Sequence, residues 1–197
     1  PLWKIWHGWK ITSCEVDKCI KITAKESNFL EKKKRNYRNN NNKSNIKHGI
    51  GLAIAMHVSG NSSSLREFDG AAMLLRLNEE GRLYIYSNEP DMGQGIRTVS
   101  AVCVAEILDM SLEKIEVPEV NTDIVPFGLG CWASRGTYMV SSAAKQAAID
   151  LRKKLFKTAS KMMNKSTEEL IMKNDAVVWT RDVTQRLSIK KIAWQYT

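Results

Sequence analysis

The sequence predicts an α+β fold, with β-hairpins in mixed sheets and packed helices, and three observations carry that prediction. Residues 71–77 and 82–87 are strand-like runs on either side of NEEG, where Gly81 can take the positive φ that a four-residue hairpin loop requires. Residues 96–110 place Ile96, Val99, Cys103 and Met110 on roughly one helical face, and residues 112–120 then alternate like a strand. Strand, helix and strand in that order make a βαβ-like unit. A long helix over 141–163 follows, with Ala143, Ala144, Ala147, Leu151 and Leu155 toward the core and a lysine-rich solvent side.

The remaining elements divide the chain at residue 45. Residues 1–45 form an N-terminal helical segment and a basic linker. Trp3, Trp6 and Trp9 recur at spacing three and would dock a short helix on a neighbour. Residues 16–30 carry Cys19, Ile22 and Phe29 at near-helical spacing, and EKKKRNYRNNNNKSN over 31–45 reads as an exposed linker without apolar period. Residues 46–197 form the second domain. IGLAIAMHV over 50–58 is an apolar run of strand length, and 59–67 is a loop. Ser166 and Glu169 have capping-box spacing. A hairpin pairs 170–172 with 176–180 across Lys173, Asn174 and Asp175, and Ser188 opens a final helix.

Composition narrows the function classes. Net charge is +9, but residues 1–48 hold 12 Lys and Arg against 4 Asp and Glu, leaving 18 against 17 in the rest. The basic character therefore belongs to the N-terminal segment and not to the compact part. Cys14, Cys19, Cys103 and Cys131 lack paired CxxC spacing, so neither a zinc site nor a disulfide framework is predicted, and reduced thiols in a cytoplasmic protein are expected. No apolar run approaches the roughly 20 residues that span a bilayer, and no cleavable leader pattern is present. His7, His48 and His57 are isolated. A chain that starts at Pro1 and stops at Thr197 inside a short helix reads as an internal fragment of a longer polypeptide.

Two stretches carry the functional signal. EPDMGQGIRT, residues 89–98, flanks Gln94 with two glycines between a strand and a helix, so backbone N–H groups and a helix dipole would face a ligand such as an anion. NTDIVPFGLGCWASRGTYM, residues 121–139, is a long loop with Gly128, Gly130 and Gly136 that is expensive to order unless it packs or binds something.

Together with IKHGIGLAIAMHVSGN, these two stretches in this order resemble the molybdopterin-binding large subunit of the xanthine dehydrogenase and aldehyde oxidase family, in its bacterial form. The resemblance implies that Gly93, Gln94, Gly95 and Thr98 contact a molybdenum–molybdopterin cofactor, with Gln94 offering donor and acceptor to a heterocycle edge. It further implies that Ala133, Ser134, Arg135 and Gly136 pass beside the metal. Ala133 would lie near molybdenum without ligating it, and Arg135 would be a cation near the cofactor or substrate. No direct metal ligand is implied. The implied chemistry is hydroxylation of an aldehyde or of an aromatic or N-heterocyclic substrate with oxygen from water. No catalytic residue is expected in this segment, because the glutamate base of the family belongs to a downstream motif that neither Glu89 nor Glu106 matches. The cofactor is expected in its cytosine dinucleotide form, with FAD and 2Fe-2S clusters on partner subunits or domains of a hetero-oligomer. Neither membrane nor nucleic acid is an expected partner. Cys131 departs from the family pattern, which commonly has threonine there. Two competing readings are an inactive relic of such a subunit and a basic nucleic-acid-binding module led by residues 31–47.

Overall fold

In the computed structural model, the structure describes residues 13–41, 45–55, 57, 59 and 70–195. The tryptophan face at Trp3, Trp6 and Trp9, and most of the expected 59–67 loop, lie outside the described residues. The chain divides into two compact units, Pro1–Val58 and Ser59–Thr197.

In the first unit, helix α1 (Val16–Glu26) is followed by helix α2 (Phe29–Asn40), with Asn28 in the left-handed region between them at φ 53°. The expected irregular linker over 31–45 is therefore helical as far as Asn40. Its lysines, arginines and glutamate are good helix formers even without a core face. Glu31 pairs with Lys34 one turn on, and Lys33 lies over the Phe29 ring. Exposure of the segment is as expected, since neither helix buries a residue. The expected buried strand over 50–58 is not formed at residues 50–55, which have no regular structure; Ile54 is 58% exposed. A strand needs a neighbour for its backbone groups, and none of the described strands pairs with this run.

The second unit builds the site. Strands β1 (Met73–Leu77) and β2 (Leu83–Ser87) form the expected antiparallel hairpin, closed with Gly81 at φ +74°. Helix α3 (Ile96–Leu108) returns the chain to β3 (Ile115–Glu116), which pairs parallel to β2. The βαβ unit is thus present, although residues 112–114 are a 3₁₀ turn and the alternating 112–120 run contributes only two residues of strand. Of that run only Ile115 is buried, and pairing with β2 is confined to Ile115 and Glu116.

Helix α4 (Gly136–Met163) starts five residues before the expected Ser141, and buries Val140, Ala144, Ala148, Leu155 and Ala159. Ala143, Ala147 and Leu151 are half-buried beside that stripe. On α3 the buried stripe is Ile96, Ser100, Val104 and Leu108, one position on from the expected Val99 and Cys103. Leu83, Ile85, Val104, Leu108, Ala144, Ala148 and Leu155 share one core with Val177 and Ile192.

A second sheet, β4 (Leu170–Met172), β5 (Ala176–Trp179) and β6 (Asp182–Ser188), is antiparallel in that order. The hairpin was predicted and β6 was not, because DVTQRLS is largely exposed and polar. Helix α5 (Ile189–Trp194) follows, with Ser188 Oγ accepting from the Lys191 N–H at 3.2 Å. The expected capping box fails: Ser166 Oγ bonds the Glu168 carboxylate, and Glu169 pairs with Arg181 at 2.5 Å. A 3₁₀ turn over Thr167–Glu169 places these side chains differently from the first turn of an α-helix.

Candidate functional site

Strand β2 ends at Ser87, and residues 88–95 turn the chain into α3. The backbone is left-handed at Gly93 (φ +103°) and Gly95 (φ +77°), conformations that favour glycine. Asp91 organises this turn. Its Oδ1 accepts the Gly93 N–H at 2.9 Å and the Gly95 N–H at 3.2 Å, and its Oδ2 accepts the Arg97 N–H at 3.2 Å. These bonds, led by the one from Gly93, hold its carboxyl below the ordinary aspartate value. The amides expected to face an external anion are therefore already answered by a carboxylate of the same chain.

Gln94 closes the turn from the other side. Its Nε2 donates to the Pro90 carbonyl at 2.8 Å and to Cys131 Sγ at 3.3 Å, and its Oε1 accepts the Met92 N–H at 2.6 Å. Both amide hydrogens are engaged, leaving one acceptor position on Oε1. Thr98 is exposed and faces a separate open cleft of ≈ 580 Å³, shared with Asp91, Arg97, Ala101, Leu112 and Val117.

The second loop meets this turn at Cys131. Ala133 (φ 50°) and Ser134 (φ 54°) are consecutive left-handed residues with side chains, closed by the Arg135 N–H donating to the Trp132 carbonyl at 3.1 Å. Each such residue costs about 1–3 kcal/mol, and the surrounding structure must over-determine it. Ala133 is buried and Ser134 is exposed. Gly136 begins α4, where an added Cβ would sit 3.6 Å from Cys131 Sγ and 3.8 Å from Ile96 Cδ1. The structure thus brings Gly93–Gly95 and Ala133–Gly136 side by side, while Thr98 lies apart.

Arg135 is 3% exposed and does not reach outward. Its Nη1 donates to Glu89 Oε1 at 3.3 Å and to the Gly130 carbonyl at 3.1 Å, and its Nη2 donates to the Gly70 carbonyl at 2.5 Å. Glu89 is 2% exposed, and its Oε2 accepts from Cys131 Sγ at 3.0 Å. Burial first, and the Glu89 carboxylate second, push the Cys131 thiol up from its ordinary 9.0 to about 11. Asn88 Oδ1 is buried without a donor among the described residues, and a Cβ on Gly128 would come within 2.3 Å of it. Among the described residues no cluster of three His, Cys, Asp or Glu could hold a metal ion.

Sequence reasoning gave Glu89 and Asp91 no role of their own within the 89–98 stretch, and read Cys131 beside the second loop as a departure from the family pattern without a partner. Asp91 had a signal: an aspartate two residues before a glycine at a helix start is a ready acceptor for the turn's own amides. Glu89 had none, because its charged partner is 46 residues away.

Three comparisons bear on this geometry. A family model described as a molybdopterin cofactor-binding domain matches residues 23–197. The xanthine dehydrogenase molybdenum-binding subunit of Escherichia coli is 29% identical over 188 residues, covering 94% of this chain and 24% of the relative. The 6-hydroxypseudooxynicotine dehydrogenase complex subunit gamma of Paenarthrobacter nicotinovorans is 30% identical over 145 residues, covering 74% of this chain and 17% of the relative. The solved structure of reconstituted CO dehydrogenase from Oligotropha carboxidovorans superposes with a TM-score of 0.59 at 26% identity, covering 64% of this chain and 16% of that one. The chain therefore spans about a quarter of the length of the first relative it matches. With a match from residue 23 to the last residue and two signature loops brought together by the fold, the chain belongs to the molybdopterin cofactor-binding domain family.

Proposed function

We propose that this chain supplies cofactor-facing loops of the large subunit of a molybdenum hydroxylase, an oxidoreductase acting on an aldehyde or on an aromatic or N-heterocyclic compound. The observation that carries the reading is the meeting of the Gly93–Gly95 turn and the Ala133–Gly136 loop, joined through Gln94 Nε2 and Cys131 Sγ. What the first turn leaves open favours a neutral heterocycle edge and not a phosphate, because Asp91 takes the Gly93, Gly95 and Arg97 amides and Gln94 Oε1 keeps an acceptor position. A Cβ built on Gly93 or Gly95 meets nothing within 4 Å, so a flat ligand can lie against this backbone. The unanswered Asn88 Oδ1 is one further acceptor at the junction of the two loops. The group fits on these grounds.

Gly93, Gln94 and Gly95 would hold its pterin edge, and Ala133, Ser134 and Gly136 would line its other side. Arg135 would contribute by bracing the loop from within, since its guanidinium is buried. When bound, the molybdenum–molybdopterin group supplies two-electron redox chemistry. We assign no catalytic role to any residue of this chain, and place the general base on another segment of the longer polypeptide. The reading extends to a cytosine dinucleotide form of the cofactor, to FAD and 2Fe-2S groups on partner subunits or domains, and to a cytoplasmic hetero-oligomer. It takes residues 46–197 as the partial cofactor-binding domain and residues 1–45 as its helical, basic extension. No helix among the described residues is long and apolar enough to cross a membrane.

The test is Gln94→Ala in the full-length protein. Removing the carboxamide takes away one free acceptor and unfastens the turn from Pro90 and Cys131, so molybdenum and pterin content should fall about tenfold, the scale on which supporting contacts around a metal group act. Unchanged molybdenum content would contradict the role given to this turn.

A further inference from the structure

Hydrogen bonds between the two loops run through side chains, and two of them end on one carboxylate, while the Cys131 thiol also lies 3.6 Å from the Pro90 carbonyl. Glu89 Oε1 accepts from Arg135 Nη1 at 3.3 Å, and Oε2 accepts from Cys131 Sγ at 3.0 Å. Those two partners bracket the left-handed pair Ala133 and Ser134. Arg135 also donates to the Gly130 carbonyl, in the same loop, and to the Gly70 carbonyl. The thiol in turn accepts from Gln94 Nε2 at 3.3 Å, and the carbonyl of Pro90, the residue next to Glu89, accepts the same amide at 2.8 Å. Of the two acceptors of the Gln94 Nε2 group, the Cys131 thiol is itself held by the Glu89 carboxylate and the Pro90 carbonyl belongs to the next residue in the chain.

We propose that Glu89 is the positioning residue of this site: a buried carboxylate whose two oxygens separately fix Arg135 and Cys131, holding the 133–134 turn beside Gln94 and orienting the Gln94 carboxamide. That this geometry serves a cofactor rests on the function proposed above. The clamp itself does not.

Three features distinguish this arrangement from an ion pair that only stabilises the fold. Both charged side chains are nearly inaccessible, at 1% and 2% exposure, so neither can be left without the other, and the pair fixes the register of the segments that carry it. The two oxygens go to two different residues of one loop, so the carboxylate sets an orientation as well as a distance. Consecutive left-handed alanine and serine do not hold their conformation by local preference, and need anchors on both sides. Arg135 and Cys131 are those anchors. The raised pKa of the thiol, set by burial first and by the Glu89 carboxylate second, agrees with a sulfur kept protonated there.

The test uses the full-length protein with Glu89→Gln. The amide keeps the size of the side chain but has only one acceptor oxygen, so it cannot serve Arg135 and Cys131 together. Two readouts are taken: the rate at which iodoacetamide alkylates Cys131 at pH 8, followed by peptide mass spectrometry with the exposed Cys14 and Cys19 as internal standards, and the bound pterin released by acid. Each unit by which the thiol pKa falls raises its thiolate fraction about tenfold. Removing the carboxylate takes away the second cause of the raised thiol pKa and leaves burial, so in Glu89→Gln the Cys131 rate should rise severalfold relative to Cys14 and Cys19, and pterin content should fall severalfold.

An unchanged Cys131 rate overturns the proposal. So does a raised rate with full pterin content, which would show a clamp that positions nothing for the cofactor. If Cys103, half-buried in the core, becomes reactive at the same time, the variant has unfolded, and Cys131→Ala replaces it. That change removes one arm of the clamp without stranding a charge, and should also lower pterin content; full content overturns the proposal. Absence of pterin from the unmutated protein contradicts the proposed function instead, and the alkylation rate then decides the clamp alone.

Discussion

Asp91 does at the α3 terminus what a bound anion was expected to do. Its carboxyl is held below the ordinary value of 3.8, chiefly by the Gly93 and Arg97 amides. A depressed acid contributes stability above its unfolded value and loses it as pH falls through the folded one. Amide exchange at Gly93, Gly95 and Arg97 should therefore accelerate selectively below about pH 3.8, read by NMR, and Asp91→Ala should show that acceleration already at neutral pH. Cys131 has the opposite sign. Its thiol is raised from 9.0 to about 11, so its contribution is complete below pH 9 and disappears as pH rises toward 11. Unmutated protein should lose more melting temperature across that window than Cys131→Ala; equal losses would contradict the assignment. At this scale the glycines and Gln94 were legible because unusual residue types mark a special backbone. Glu89 was not, since an ordinary glutamate acquires its role only from a partner 46 residues away.

Elements were legible where the local pattern and the tertiary environment agree. The β1–β2 hairpin followed from two apolar runs and Gly81, and α4 followed from its alanine stripe. Gly81 is also where an added Cβ would meet the backbone of Lys190 at 3.0 Å, at a φ of +74°. Gly81→Ala should cost about 1–2 kcal/mol from backbone strain, read as a lower denaturation midpoint; an unchanged midpoint would contradict a left-handed backbone at this turn. Elements failed where a partner decides the outcome. The 50–55 run is apolar yet unpaired, α2 is helical by propensity without a buried face, and β6 is a strand because β5 offers its edge to DVTQRLS. The α3 terminus shows the same limit. Its position was legible, but whether its amides were free depended on one side chain of the turn.

For the molecule as a whole, the two loops and the first turn of α4 expose large apolar side chains. Met92, Phe127 and Tyr138 are more than 70% exposed, and Trp132 is 42% exposed. Large exposed apolar side chains on these loops and at the start of α4 are what further segments of a longer chain would cover, and the chain spans 24% of the length of its Escherichia coli relative. Expressed alone, these 197 residues should bind an apolar dye such as ANS that the full-length protein does not bind; equal binding by both would contradict a covered loop surface. The central claim is that these loops are part of a molybdopterin site, and it is tested most directly by molybdenum and pterin analysis of the full-length protein, purified from a host that makes the cofactor. The account predicts that both co-purify in equal, stoichiometric amounts. A folded full-length protein carrying neither would contradict it.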